Sequence, residues 1–164
     1  MRFKTAGSLL AVMAGALLLD RLTKAWAVQV LKPMAELGVA PGGGIALWPG
    51  VVQLRYAENT GAAFSLFAGG GWLLIAVTAV LLVLLAGYLT VRRPRGCMAW
   101  GMGLILAGGA SNFYDRVAFG YVVDFVEPVF VRFAVFNLAD VWVCAGVLLV
   151  AIAVLREERR NQNA

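Results

Sequence analysis

Two aspartates, Asp124 and Asp140, lie in apolar surroundings in a chain that contains no histidine. Asp124 follows Val122 and Val123 with no helix start signal beside it, and an unpaired carboxylate in such a setting is costly or takes up a proton. When two carboxylates come close they share one proton, so the charged one can accept a proton from water while the neutral one donates. If the two met, they could hydrolyse an amide bond without metal, serine or histidine.

Asp140 also has a structural explanation. If the last helix starts at Asn137, that residue is the N-cap, and Asp140 falls three positions later, where a carboxylate suits both the free amides and the helix dipole. Spacing alone does not show that Asp124 and Asp140 meet. At this point Asp140 can be either part of a helix cap or one half of an aspartyl hydrolase site.

Other charged residues also belong to apolar stretches. Asp20 and Lys24 are four residues apart, so they share a helix face and can pair with each other. Asp115 and Arg116 follow the apolar part of a later stretch. Ionisable groups at membrane depth usually face protein or a water-filled cavity. A helix end with snorkelling side chains, or a solvated helix terminus, would explain these residues equally well.

The composition indicates what holds these groups in place. The chain is 62% hydrophobic and 14% charged, whereas an ordinary soluble domain has about 45–50% apolar and about 25% charged residues. We therefore expect an all-α membrane protein with one membrane-embedded domain, 1–164. Four transmembrane helices are predicted from apolar stretches at about 6–30, 72–91, 96–112 and 138–155.

The segment 31–71 differs from these stretches. It contains turn signals at Pro41-Gly42-Gly43-Gly44 and Trp48-Pro49-Gly50, and its β-branched part, Val51 to Tyr56, partly alternates. These features predict short strands, which we expect to form a small sheet resting on the membrane surface. Gly61 would let this segment move as a lid over a substrate.

Basic residues predict the orientation in the membrane. They collect before the first span, between the second and third, and after the fourth, so both termini are expected on the cytoplasmic side. The connections 31–71 and 113–137 then face outward. The net charge of +5 follows from this topology, and no nucleic-acid partner is expected. The basic start, the apolar run and Ala25-Trp26-Ala27 would also fit a cleavable secretory signal.

Small residues and cysteines predict how the spans pack. Ala99, Gly103, Ala107 and Ser111 recur every four residues, a pattern that lets a neighbouring helix approach closely. Cys97 and Cys144 are expected at different depths, too far apart for a disulfide. We predict two free thiols.

Five stretches are similar to motifs of the bacterial lipoprotein signal peptidases, also called signal peptidase II or prolipoprotein signal peptidase. They occur in the family's order across nearly the whole chain. At Ser111 the family frequently has glycine, and Phe113-Tyr114 replaces a commoner aliphatic pair, so local packing is expected to differ there. The stretches are Asp20-x-x-Thr23-Lys24, NTGAAF at 59–64, AGGASNFYDR at 107–116, VVDF at 122–125 and FNLAD at 136–140.

The resemblance implies an intramembrane aspartyl endopeptidase of the bacterial cytoplasmic (inner) membrane with its active site near the periplasmic face. Such an enzyme removes the signal peptide of a diacylglyceryl-modified prolipoprotein, cutting before the lipidated cysteine. It implies action on substrates in membrane lipid, without cofactor or metal, and inhibition by globomycin-type peptides. We expect the enzyme to be a monomer.

The same resemblance implies roles for individual residues. Asp124 and Asp140 would be the catalytic dyad. The match of Asp20 and Lys24 to a functional motif favours retention of the first span. The residues implied to position the dyad and substrate, or to support them, are Asn59, Asn112, Arg116, Asn137, Asp20, Lys24 and Asp115.

A small four-span transporter or lipid-binding scaffold is the alternative from another class. Its charged residues would form a polar path or bind headgroups, and a path across the bilayer needs polar groups at all depths. The second span contains no charge, which favours a one-sided site. Presenilin-like aspartyl proteases are disfavoured because Gly-x-Gly-Asp is absent from the sequence.

Overall fold

The structure is a computed structural model that describes residues 2–38, 44–61 and 70–163. A π-helical turn, Ala27–Leu31, continues the first helix into the second. Three strands form one antiparallel sheet in the order β1-β2-β3. The helices are α1 (Arg2–Trp26), α2 (Lys32–Leu37), α3 (Gly70–Arg92), α4 (Cys97–Phe119) and α5 (Leu138–Gln162), and the strands are β1 (Gly44–Trp48), β2 (Val52–Asn59) and β3 (Val122–Pro128).

Helix α4 lies at the centre of the helices and packs against α1, α3 and α5. Gly108 lies so close to α5 that a Cβ there would overlap the carbonyl oxygen of Ala139, and one at Gly103 would meet side chains of α1. Gly108 lies outside the predicted small-residue stripe, but Gly103 belongs to it, so the stripe is confirmed as a contact face towards α1. Its buried members are Ala99, Gly103, Ala107 and Ser111.

Three helical segments among the described residues are long and apolar enough to cross a membrane: Ala6–Leu37, Gly71–Arg92 and Leu138–Gln162. Helix α4, which is 23 residues long, is not among these three, and ten of its residues are buried. The fold is thus a mostly helical membrane protein with four main helices, three of them long and apolar. Helix α4 continues beyond the predicted end of the third span at 112 to Phe119, and Gly120 follows as its C-cap with φ 82°.

The sheet was predicted only in part. Strands β1 and β2 lie in the segment 31–71 as expected, although its first residues are helical as far as Leu37. Strand β3 comes from 113–137, which was predicted only as an outward-facing connection, and pairs with β2. The predicted Pro41–Gly44 turn lies mostly outside the described residues.

The sheet packs on the π-helical turn and thereby fixes the face of β3. Ala27 and Leu31 of the turn form a buried cluster with Val123 and Phe125 of β3. Because successive side chains of a strand point to opposite faces, Asp124 must point away from this cluster. The strand thus directs Asp124 towards the helix ends.

Candidate active site

Asp124 lies within β3, and its side chain is buried, with the residue 2% exposed. Both carboxylate oxygens accept amide hydrogen bonds: Oδ1 from Asn137 Nδ2 at 2.6 Å, and Oδ2 from Asn59 Nδ2 at 3.0 Å. Asn59 is held in turn, because its Oδ1 accepts from the backbone N–H of Gly61 at 2.9 Å. The amide orientation of Asn59 is therefore fixed with its nitrogen towards Asp124.

Burial raises the pKa of Asp124 to about 6. The negative charge of Asp140 contributes to this upward shift of the pKa, whereas the hydrogen bonds from Asn59 and Asn137 and the charge of Lys24 oppose it. The net shift is upward because lost hydration penalises the charged form more than the donors stabilise it. Asp124 therefore keeps its proton to a higher pH than an ordinary aspartate does.

Asp140 lies in the first turn of α5 within a complete capping box. Asn137 Oδ1 accepts from the backbone N–H of Asp140 at 3.1 Å, and Asp140 Oδ2 accepts from the backbone N–H of Asn137 at 3.2 Å. The predicted N-cap is confirmed. Asn137 also donates to Asp124, so one residue joins both aspartates. The helix cap and the hypothesis of a shared site are compatible.

Asn112 connects this pair to a buried ion cluster. Its Nδ2 donates to Asp140 Oδ1 at 2.8 Å, and its Oδ1 accepts from Lys24 Nζ at 2.7 Å. Lys24 Nζ also lies 2.9 Å from Asp20 Oδ2 and 2.8 Å from Asp115 Oδ2. The predicted pairing of Asp20 with Lys24 is confirmed, and Asp115 belongs to the interior, not to a solvated helix end.

Two residues outside the predicted set complete the cluster. Arg21 Nη1 lies 2.6 Å from Asp115 Oδ1, and Ser111 Oγ donates to Asp20 Oδ2 at 2.5 Å. Asp20 Oδ1 accepts from the backbone N–H of Ala139 in the first turn of α5 at 2.8 Å. The cluster therefore ties α1, α4 and α5 together. Ser111 could have been suspected from its i, i+4 spacing to Asp115.

Arg116 lies half-buried near both aspartates without pairing to either. Its Nη1 donates to the backbone oxygen of Asn112 at 3.4 Å. The charges of Asp140, Asp124 and Asp115 all act on it. Within the described ranges it forms no carboxylate ion pair. Its guanidinium remains available for a polar group of a ligand.

All nine predicted site residues fall in one region, although Arg116 touches it less directly than the others. No group of three or more potential metal-ligating side chains is found in the part of the chain that the structure describes. Cys97 and Cys144 are free thiols, as predicted. The resulting arrangement is a pair of carboxylates with amide donors on both and a neutralised ion cluster behind them.

Known proteins resemble this chain in sequence and in fold. The sequence model described as signal peptidase (SPase) II matches residues 12–156. The lipoprotein signal peptidase of Gloeobacter violaceus is 44% identical over 149 residues, which cover 89% of this chain and 80% of that relative. That of Lactococcus lactis subsp. lactis is 34% identical over 130 residues, covering 79% and 87%. A bacterial membrane enzyme solved in meso at 1.9 Å superposes with a TM-score of 0.80 at 26% identity, covering 91% and 93%.

The fold and the paired carboxylates, taken with these similarities, define the class: this is a multi-pass bacterial membrane enzyme of the aspartic peptidase type. Within that class, the chain belongs to the signal peptidase II family, the lipoprotein signal peptidases. The expectation drawn from the five sequence motifs is confirmed.

Proposed function

We propose that Asp124 and Asp140 are the catalytic dyad, and that the enzyme removes signal peptides from diacylglyceryl-modified prolipoproteins by cutting before the lipidated cysteine. One observation carries the assignment of the dyad: Asn137 hydrogen-bonds to Asp124 at 2.6 Å while forming the capping box with Asp140. The two carboxylates therefore accept hydrogen bonds from a common set of amide groups. Lipoprotein processing rests on the names of the relatives.

The chemistry follows from two carboxylates that hold one proton between them. The charged member removes a proton from water, whose oxygen then attacks the scissile carbonyl carbon, and the neutral member protonates the carbonyl oxygen. When the intermediate collapses, a carboxyl proton passes to the leaving amine. Asn59, Asn112 and Asn137 hold the carboxylates in position during these steps.

The direction of approach follows from the helix faces. Asp140, Cys144 and Val147 are spaced i, i+4, i+7 along one face of α5, and Cys144 and Val147 are exposed. We place the apolar part of the signal peptide along this face, with its scissile bond at Asp140. Arg116, whose Nε has no hydrogen-bond partner among the described residues, would bind a polar group of the substrate backbone.

Topology supports the same placement. We propose four spans including α4, with both termini in the cytoplasm and the sheet outside, because Lys and Arg flank the opposite ends of the helices. Asp124 and Asp140 then lie near the outer face, where a substrate anchored in the outer leaflet presents its bond. The part of 31–71 around Gly61 would close over it as a lid.

The first experiment is cleavage of a diacylglyceryl-modified prolipoprotein by purified wild type, Asp124→Asn and Asp140→Asn. Asparagine preserves the side-chain shape but cannot exchange the proton, so each variant should fold and lose at least about 1,000-fold in kcat. Asn161→Ala, a change at the exposed end of α5, serves as the control. Cleavage by both aspartate variants at wild-type rate would disprove the assignment of the dyad.

A transport function has less support. Asp20, Lys24, Asp115 and the dyad lie at one end of the helices, and α3 contains no charged residue before Arg92. A polar path across the bilayer would need groups at all depths. Wild-type protein that never cleaves but conducts ions in liposomes would revive this alternative.

A further inference from the structure

The ammonium group of Lys24 lies in contact with three buried side-chain oxygens. Its Nζ lies 2.9 Å from Asp20 Oδ2, 2.8 Å from Asp115 Oδ2 and 2.7 Å from Asn112 Oδ1. An ammonium has three N–H donors and no acceptor, and Lys24 is only 3% exposed. Lys24 can only donate, so the side chain of Asn112 must turn its oxygen, not its nitrogen, towards it.

This orientation of Asn112 determines which hydrogen bonds are donated to the two aspartates. With Oδ1 facing Lys24, Nδ2 must face away, and it donates to Asp140 Oδ1 at 2.8 Å. The same Oδ1 accepts from Asn137 Nδ2 at 3.2 Å, which also donates to Asp124 at 2.6 Å. If the Asn112 amide were flipped, its Oδ1 would face the Asp140 carboxylate and its Nδ2 would face the ammonium nitrogen of Lys24.

The two aspartates differ in what surrounds them. Asp140 accepts from Asn112 Nδ2 and from the backbone N–H of Asn137. It also lies in the first turn of α5, where the helix dipole favours negative charge. Asp124 lies on a strand without a helix terminus of its own. Each carboxylate accepts two hydrogen bonds from amide groups, so the difference between them is the helix terminus beside Asp140.

We propose that Lys24 is a positioning residue that, through the orientation of Asn112, keeps Asp140 the ionised member of the dyad and leaves the shared proton on Asp124. This inference rests on the proposed function of the two aspartates. The pKa of Asp124, which burial raises to about 6, agrees with a proton held there.

With Asp140 ionised and Asp124 protonated, each proton transfer of the reaction has a donor and an acceptor. Asp140 takes a proton from water as the water oxygen bonds to the carbonyl carbon, and Asp124 gives its proton to the carbonyl oxygen. On collapse, Asp140 returns its proton to the leaving nitrogen as the C–N bond breaks, and Asp124 recovers a proton from the geminal diol. The products are a carboxylic acid and an amine, and the dyad ends as it began.

Other charged groups near Lys24 and the dyad must enter the test. Arg116 on α4 interacts electrostatically with both aspartates, and Asp115, Asp20 and Arg21 belong to the ion cluster around Lys24. Asp20 and Asp115 are balanced by Lys24 and Arg21. Removal of Lys24 alone therefore leaves one net negative charge behind Asn112, as well as freeing its amide to turn.

The test is the pH dependence of kcat/KM in Lys24→Met. Because ionised Asp140 is required as the base, loss of its oriented donor should move the acid limb to higher pH by on the order of one unit. Lys32→Met is the matched control: it removes a lysine further along the same helical segment, paired to exposed Glu58, and should leave the profile unchanged. A folded Lys24→Met enzyme whose activity falls equally at all pH values would overturn the proposal in favour of a purely structural role.

A double-mutant cycle with Asn112→Ala distinguishes an effect through Asn112 from loss of charge acting through space. If Lys24 acts through Asn112, adding Lys24→Met to Asn112→Ala shifts the acid limb by less than half of its effect in wild type. A fully additive shift would overturn the proposal. If Lys24→Met does not fold, Lys24→Met/Asp115→Asn removes one charge of each sign and takes its place. Failure of the proposed function would appear separately, as cleavage that survives Asp124→Asn and Asp140→Asn.

Discussion

At the scale of single residues, three asparagines control the surroundings of two aspartates. Each amide is held at its other end: Asn59 by the Gly61 N–H, Asn112 by Lys24, and Asn137 by the Asp140 N–H. A neutral amide can stabilise a carboxylate without adding a charge that would abolish proton sharing. Asparagine therefore suits a pair that must keep one proton.

Asn59→Ala tests this control at Asp124. The hydrogen bond from Asn59 lowers the pKa of Asp124, so its removal raises that pKa further above its ordinary value. If Asp124 is the acid, it then stays protonated to higher pH, and the alkaline limb of kcat/KM should move upward by about half a unit to one unit, with a lower maximum. Measurement of cleavage across the pH range, with Asn161→Ala as the control, checks this. A limb that moves to lower pH would contradict the role of Asp124 as the acid.

The residues that sequence could predict were those with local signals. Asp20 and Lys24 are four residues apart on one helix, and Asn137 precedes a helix by capping logic. The partnership of Arg21 with Asp115 joins residues 94 positions apart, so it depends on how α1 packs on α4. No local pattern contains that information, and the resemblance to a family supplied Asp115 but not Arg21.

At the scale of elements, β3 and the π-helical turn act as one unit. Strand β3 was missed because four successive residues, Val122 to Phe125, are buried, which removes the alternation that identifies a half-exposed strand. The turn was missed because a π-helical segment has no distinct sequence pattern. Only their contact explains why Asp124 points where it does.

Leu31→Ala tests this unit. Leu31 is fully buried in the cluster with Val123 and Phe125, and a Leu→Ala cavity costs about 2–5 kcal/mol. We expect a lower unfolding temperature and a fall in kcat larger than the change in KM, because β3 holds Asp124. Leu37→Ala, at a position 75% exposed on α2, is the matched control. Unchanged kcat in a destabilised Leu31→Ala enzyme would show that the cluster does not position Asp124.

At the scale of the whole molecule, the sheet has two different ends. One end brings Asp124 to the helices. At the other, the β1–β2 turn and the loop after β3 are joined by a hydrogen bond from the Val129 N–H to the Val51 oxygen at 2.9 Å. This far end, which we call the sheet tip, exposes large apolar side chains from two separate segments: Leu47, Trp48, Val129, Phe130, Val131 and Phe133.

We predict that the sheet tip dips into the outer leaflet, which would hold β3 and Asp124 level with a substrate bond at the membrane surface. Apolar and aromatic side chains next to a basic residue, here Arg132, are typical of an interfacial anchor. The test uses Phe130→Cys in a variant without Cys97 and Cys144, labelled with a nitroxide and held in lipid nanodiscs. The label should be more accessible to oxygen than to a water-soluble nickel chelate. Labels at Val83, exposed on apolar α3, and at Asn161 supply the lipid and water references. A label at Phe130 that behaves like the one at Asn161 would place the tip in water, and the level of Asp124 would then be set by the helices and the π-helical turn alone.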